Sequence, residues 1–444
     1  MWSIIKKTDV DSFFRQYPEL EEFKETFLIN ESGENYILPR YFCLNYPSKF
    51  IKHLEIAYKP ENIKMEFNGT LRPTQNEIMQ TLSPIYSENG YINGVIKARP
   101  GAGKTVTAIY IASKLKLKTL FLVDNTNLMK QWISEILTYS DLQPEDIGII
   151  KGKLFSTDKP VTVGTVQTLL SKFKKDPKDL YEKIKDVGFG LVIFDEVHKT
   201  SASEKYSKIS SVFPTKNIIG LSATPYKFGE QDILMKNVIG DIIYDGKDYD
   251  LIPDVNFVYY ESGLEKYRGV LSRLDYTQKK SYYNSVITKS KKYIDVVTTL
   301  VERDLAENHR VIVICWTENQ VKTISEALTE KGITNTQFYG KSRTFSETDK
   351  VLVVTYSFAG TGFNYKELSS LIYACPLSGK VSLIQTAGRI LRECKNKEKP
   401  KISDLVDISF PLMFLPEIDK KKKILNEEFK CEFNENREFV DASK

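Results

Sequence analysis

The sequence predicts an α/β fold: two tandem domains, each a parallel sheet wrapped in helices, behind a small N-terminal accessory domain. Three observations carry that expectation. From about residue 70, short β-branched runs alternate with amphipathic stretches of helical period. After a polar, tyrosine-rich interval, the same alternation returns from about residue 295. Parallel neighbours need a crossover, usually a helix, so strand–helix order along the chain is the mark of a parallel sheet. The third observation is length: 444 residues is about three domains at roughly 150 residues each.

The elements follow in order. Residues 1–65 mix short apolar pieces with Pro, Asn and charged residues, which suggests an accessory domain without visible chemistry. Residues 66–240 hold the first set of strand candidates: 94–96, 120–123, 161–163, 191–194 and 218–221. Helical candidates at 106–115 and 128–137 lie between them. Residues 241–415 are expected to form the connection and the second sheet, with strands at 311–314, 351–354, 371–374 and 405–408. Residues 416–444 read as a charged tail, helical in part.

Composition narrows the class. A chain 41% hydrophobic and 27% charged has an ordinary globular balance. Neither a membrane span nor a secretory leader is visible, so a cytoplasmic location and no membrane partner are expected. The five cysteines, Cys43, Cys315, Cys375, Cys394 and Cys431, form no Cys-x-x-Cys pair, which argues against a zinc site or a disulfide framework. Three dispersed histidines argue against a metal cluster. A net charge of +5 is too small to mark a nucleic-acid binder alone. The basic runs at 172–175, 289–292 and 420–423 are solvated surface or phosphate contacts.

Three patterns carry chemistry. Ala98-Arg99-Pro100-Gly101-Ala102-Gly103-Lys104-Thr105 lies between a strand candidate and a helix candidate, the context of a phosphate-binding loop. Its glycines let backbone N–H groups curl around phosphate oxygens; Lys104 reaches the β- and γ-phosphates, and Thr105 offers a hydroxyl to Mg²⁺. These residues imply ATP and Mg²⁺ as cofactors. Asp195 and Glu196 follow the apolar run 191–194, which puts them at a strand's C-terminal end, where parallel sheets bind ligands. Asp195 would hold Mg²⁺ and Glu196 would deprotonate the attacking water. Gln385, Arg389 and Arg392 are spaced i, i+4 and i+7, so they share a face if the segment is helical. Two guanidiniums from the second lobe would meet the γ-phosphate only when that lobe docks.

These pieces, in this order, resemble superfamily 2 helicases from about residue 70 to 410. The resemblance implies two RecA-like domains and an ATP-hydrolysing motor that moves nucleic acid. It assigns Gln75, with Arg72 beside it, to the adenine edge. It places Asn125, Thr126, Asn127, Gly164, Thr165, Gln167, Trp316, Thr317, Thr355 and Ser357 on the nucleic-acid strand. Ser222, Ala223 and Thr224 would couple hydrolysis to strand movement, and Gly362 would lie at the nucleotide. Asn364 stands where many members of the family carry Asp, which leaves its role open. Asp195-Glu196-Val197-His198 and the glutamine that opens the arginine segment are less like the RNA-directed branch of the family. They are more like DNA branch-migration and repair helicases, including phage-encoded ones. The expected partner is DNA, single-stranded, forked or branched, acting in replication, recombination or repair; RNA is disfavoured and a monomer is expected. An RNA helicase and a duplex translocase that leaves strands paired stay open as alternatives. A passive binding module with a degenerate site, a kinase and a transporter ATPase fit less well.

Overall fold

The computed structural model describes residues 2–24, 30–39, 41–54, 58–197, 209–210, 212–223, 231–246, 251–340, 349–359, 365–392, 394 and 397–440. The chain divides into two compact units, 1–246 and 247–444. No described helix is long and apolar enough to cross a membrane.

The first unit opens with an antiparallel sheet of β1 (Trp2–Lys6), β2 (Asn30–Ser32), β3 (Asn35–Leu38) and β4 (Ile51–Leu54), in the order β2-β3-β1-β4. Phe13, Phe14, Leu20 and Phe42 fill a separate small core beneath it. Residues from 58 onward belong to the larger body. Ile63 and Met65 lie in its core, and the Ile63 N–H donates to the Lys116 carbonyl at 2.9 Å. The accessory sheet therefore ends before residue 65.

The larger body is an eight-stranded sheet. Its strands are β5 (Asn93–Lys97), β6 (Thr119–Val123), β7 (Ile147–Lys151), β8 (Leu154–Phe155), β9 (Val161–Thr165), β10 (Leu191–Phe194), β11 (Asn217–Ser222) and β12 (Ile242–Asp245). The spatial order is β12-β5-β11-β10-β6-β9-β7-β8, parallel throughout except for the β7–β8 hairpin. Alternate residues serve opposite cores: Phe121, Val123, Leu191 and Ile193 face one, Leu120, Leu122, Val192 and Phe194 the other. A sheet covered on both faces needs uninterrupted apolar strands, which is why these runs were legible. β12 pairs with β5, so the first unit extends past the boundary expected at 240. Gly94, at φ +133°, permits this close approach: a Cβ there would lie 2.6 Å from the Asp241 carbonyl oxygen.

The second unit is a seven-stranded sheet of β13 (Asp254–Tyr260), β14 (Val311–Cys315), β15 (Thr336–Phe338), β16 (Val351–Thr355), β17 (Ser370–Tyr373), β18 (Lys401–Asp407) and β19 (Phe433–Phe439). The order is β15-β16-β14-β17-β18-β13-β19, and every described pairing is parallel. Most of the expected tail is built into this body. Residues 416–429 continue the Pro411–Phe429 helix, and β19 pairs with β13. β19 carries Glu435 and Arg437 among its residues, the charge that edge strands tolerate and that disguises them in sequence. The basic run at 420–423 is partly engaged within the unit: Lys421 is buried against Asp404 at 2.6 Å, and Lys422 pairs with Glu435 at 3.1 Å.

Candidate nucleotide and strand site

The phosphate loop leaves the C-terminal end of β5 and enters the Lys104–Leu115 helix, whose N-cap is Gly103. Gly101 and Gly103 have φ of +86° and +82°, a region that costs a side-chain-bearing residue roughly 1–2 kcal/mol. The loop is tied to the neighbouring strand by the Ala98 N–H donating to the Ser222 carbonyl at 2.9 Å. Ser222 and Ala223 are themselves buried. The Lys104 ammonium folds over the loop and donates to the carbonyls of Ala98 (2.9 Å) and Arg99 (3.2 Å). Thr105 is half-buried on the first turn of the helix, where unpaired N–H groups and the helix dipole favour an anion.

Gln75 sits under this loop. It is 2% exposed; its Nε2 donates to the Gly103 carbonyl at 3.2 Å, and its Oε1 accepts from the Arg72 N–H at 2.8 Å. A Cβ on Gly103 would lie 2.2 Å from Gln75 Nε2. Gly103 is thus favoured by its backbone angle, and a Cβ there would displace the Gln75 amide. Gln75 supports the loop, a role the family resemblance alone did not indicate, and the Arg72 side chain is exposed nearby.

Asp195 lies just past β10 and is 8% exposed. Its N–H donates to the Leu122 carbonyl at 2.9 Å, and its Oδ2 accepts from the Trp132 indole N–H at 2.8 Å. Trp132 is on the Thr126–Tyr139 helix, 1% exposed, with its ring 4.8 Å from that of Phe121. Sequence reasoning missed it. Leu128, Met129, Trp132 and Ile136 are buried along that helix, so Trp132 passes for plain core. The available signal was chemical, because a buried indole N–H needs an acceptor. Glu196 adopts φ +52°, unusual for a residue with a side chain. It is held there from both sides, by the Asp195 bond to Leu122 and by the Val197 N–H donating to the Leu221 carbonyl at 3.1 Å. Backbone strain of this kind collects at functional turns.

The expected strand contacts divide. Asp124 to Asn127 are half-exposed at the end of β6. Asn125 Oδ1 caps the Thr126–Tyr139 helix, accepting from the N–H groups of Asn127 and Leu128 at 3.0 and 3.1 Å. Gly164 is buried within β9, where a Cβ would lie 3.1 Å from Leu122 and 3.2 Å from Ile150. A side chain there would need Leu122 or Ile150 to give by a few tenths of an ångström. Thr165 is 5% exposed, with its hydroxyl 2.7 Å from that of Thr168. Gln167 is exposed, and its Nε2 donates to Asp124 Oδ1 at 3.1 Å, which links the two loops.

In the second unit, Trp316 and Thr317 follow β14, while Thr355 ends β16. The Trp316 and Tyr356 rings stack at 4.6 Å and 19°. Thr317 Oγ1 caps the Glu318–Glu330 helix by accepting from the Gln320 N–H at 3.2 Å. Thr355 is buried with its hydroxyl 3.2 Å from that of the exposed Ser357. Gln385 and Arg389 share the half-exposed face of the Lys380–Ile390 helix. Leu383, Ile384, Ala387 and Ile390 bury the other face, and the Thr386 hydroxyl lies 2.5 Å from that of Tyr373. The helix ends at Ile390, so Arg392 lies in the turn beyond it, not on the shared helical face. Lys397 Nζ donates to the Arg392 carbonyl at 2.6 Å, and burial lowers the Lys397 pKa to about 8. His198, Thr224, Pro225, Gly360, Thr361, Gly362 and Asn364 lie outside the described residues.

These residues fit a magnesium nucleotide. Two left-handed glycines open a backbone cradle above a helix N-terminus, with a lysine folded into it. One sheet edge gathers the rest: β5, β11, β10, β6 and β9 are consecutive neighbours. Their C-terminal ends carry, in turn, the phosphate loop, Ser222, Asp195 with Glu196, the 124–127 loop and the Thr165–Gln167 turn. Asp195 and Thr105 carry hard oxygen atoms of the kind Mg²⁺ prefers and would be the residues to hold it.

Comparison with known proteins gives consistent findings. Residues 68–227 match the family model described as "Type III restriction enzyme, res subunit". A protein of Acanthamoeba polyphaga mimivirus named as an ATP-dependent RNA helicase is 27% identical over 400 residues, covering 86% of this chain and 73% of that protein. A protein of Escherichia phage T5 named as a helicase is 26% identical over 337 residues, covering 73% and 69%. The DNA 3′-5′ translocase XPB2 of Sulfurisphaera tokodaii is 35% identical over 153 residues, 34% of this chain and 31% of that protein. Among solved structures, S. cerevisiae Dbp5 bound to RNA and ADP BeF3 aligns with a TM-score of 0.55 at 13% identity, covering 83% of this chain and 94% of that one. That last likeness is one of fold.

Proposed function

We propose that this chain, an ATP-hydrolysing superfamily 2 helicase or translocase with two RecA-like units, acts on DNA, and on forked or branched DNA in particular. The observation that carries the reading is the order β5-β11-β10-β6-β9. One sheet edge presents the phosphate loop, the Asp195–Glu196 turn and two polar loops suited to phosphate oxygens. Contacts of that kind bind a strand without reading its bases, as a motor requires.

Within the site, Lys104 and the backbone of Gly101 to Thr105 hold the nucleotide's phosphates. Thr105 and Asp195 are the residues to hold Mg²⁺, which neutralises charge on the transferring phosphate when bound. Glu196 orients and deprotonates the attacking water. Arg389 and Arg392, from the second unit, supply positive charge to the γ-phosphate as the bond to the leaving group breaks. Ser222, bonded through its carbonyl to the phosphate loop, is placed to pass a change in the loop along β11.

DNA is favoured over RNA by Asp195-Glu196-Val197-His198, by the glutamine that opens the arginine segment, and by the name carried by the Sulfurisphaera relative. The mimivirus relative carries an RNA helicase name, so RNA is the second reading. Steady-state ATP hydrolysis measured with single-stranded DNA, linear duplex, forks, four-way junctions and RNA decides between them. The expected order puts forks and junctions first. Stimulation by RNA alone would assign an RNA helicase, and stimulation by linear duplex without strand separation would assign a duplex translocase.

A further inference from the structure

The β6–loop–helix segment grips Asp195 at two atoms. The end of β6 takes the backbone, through the Leu122 carbonyl that accepts from the Asp195 N–H at 2.9 Å. The following helix takes the carboxylate, through the Trp132 indole N–H, 2.8 Å from Oδ2. The indole is fixed in turn: it is 1% exposed, packs on Phe121 of the same segment and lies within the core under the sheet. A short carboxylate side chain whose backbone and one oxygen are both so held is restricted in its orientation at the end of β10. Outer partners of this kind orient metal-binding carboxylates and raise affinity without touching the metal.

We propose that Trp132 is a positioning residue for magnesium–nucleotide binding: its N–H fixes the Asp195 carboxylate in the orientation that receives Mg²⁺. The inference rests on the ATP-hydrolysing reading of the site. It assigns to Trp132 a polar role distinct from its part in the core, and the two roles are separable. Phenylalanine keeps a ring against Phe121 and removes the donor.

The test is Trp132→Phe in the full chain, with ADP binding measured by titration calorimetry at a series of Mg²⁺ concentrations and again in excess chelator. The wild type must bind ADP, and failure there would overturn the nucleotide reading itself. In the variant, the Mg²⁺ concentration for half-maximal enhancement of ADP binding is expected to rise about 10-fold or more, the usual scale for an outer partner. ADP affinity in chelator is expected to stay at the wild-type value. An unchanged Mg²⁺ requirement overturns the proposal. So does an equal loss of ADP binding with and without Mg²⁺, which is what a purely structural role predicts. If Trp132→Phe does not fold, a Trp2→Phe/Trp316→Phe chain isolates the Trp132 indole for ¹⁵N–¹H spectroscopy. Its Nε1–H resonance is expected to move on addition of Mg²⁺ and ADP together, and not with ADP and chelator. A resonance indifferent to Mg²⁺ overturns the proposal as well.

Discussion

Gln75 and Gly103 are joined by a hydrogen bond of 3.2 Å from the Gln75 amide to the Gly103 carbonyl, with the glutamine packed where a Gly103 side chain would stand. The residue that the family resemblance assigns to the adenine edge is thus also a strut of the phosphate loop. Gln75→Ala removes the strut and leaves a small void. Binding of ADP and GDP is expected to weaken together, by roughly tenfold for the lost loop contact, with a further loss for ADP alone if the amide also reads the base. Parallel titrations of the two nucleotides separate the effects, and undiminished ADP affinity would discard both.

Lys104→Ala is expected to abolish ATP turnover, because it removes the charge proposed to hold the β- and γ-phosphates. The fold should survive. In this structure the ammonium donates to the Ala98 and Arg99 carbonyls, which water is able to satisfy. Turnover and far-ultraviolet circular dichroism measured on the same sample check this; normal DNA-stimulated turnover would remove the phosphate-loop assignment.

Glu196 offers two opposed expectations from one residue. Glu196→Gln should bind ATP and hydrolyse it at least about 100-fold more slowly, since the proposed general base is lost. Glu196→Gly should be equally inactive, yet more stable to denaturant, because glycine relieves the φ of +52°, a gain of roughly 1 kcal/mol. Chemical denaturation of both variants against the wild type tests the second point. A less stable glycine variant would mean that the Glu196 side chain contributes more to the fold than its backbone strain costs.

Arg392→Ala is expected to keep nucleotide binding, which the proposed function assigns to the first unit, and to lose DNA-stimulated hydrolysis by roughly 10³-fold, the scale of an arginine finger. Its position in a turn beyond the Lys380–Ile390 helix predicts little effect of the substitution on that helix. Hydrolysis with and without forked DNA, together with nucleotide affinity, is the measurement. Near-normal stimulation would take Arg392 out of the mechanism.

DNA binding is expected to fall steeply with salt, since phosphate contacts release counterions, and to vary little with base sequence at fixed structure. Anisotropy titrations of labelled forks across a salt series check both. A strong preference for one sequence would point to a specific binding protein.

Elements that obey local rules can be read directly from the chain. The apolar runs that became β6, β10, β11, β14 and β16 were legible because a strand buried on both faces admits no polar break. The phosphate loop was legible because its glycines and lysine are contiguous, and the acidic turn because it closes such a strand. Other features depend on contacts between distant parts of the chain. Whether β12 joins the first sheet depends on Gly94 letting a distant backbone approach. Whether the last charged segment forms an edge strand depends on β13 being there to pair with it. The close approach of Leu122 on β6 and Ile150 on β7 to Gly164 is visible only once the sheet is assembled. The bond from the Trp132 indole N–H to the Asp195 carboxylate joins residues 63 positions apart. Each of these depends on residues distant in the chain that only folding brings together, and periodicity carries no record of such neighbours.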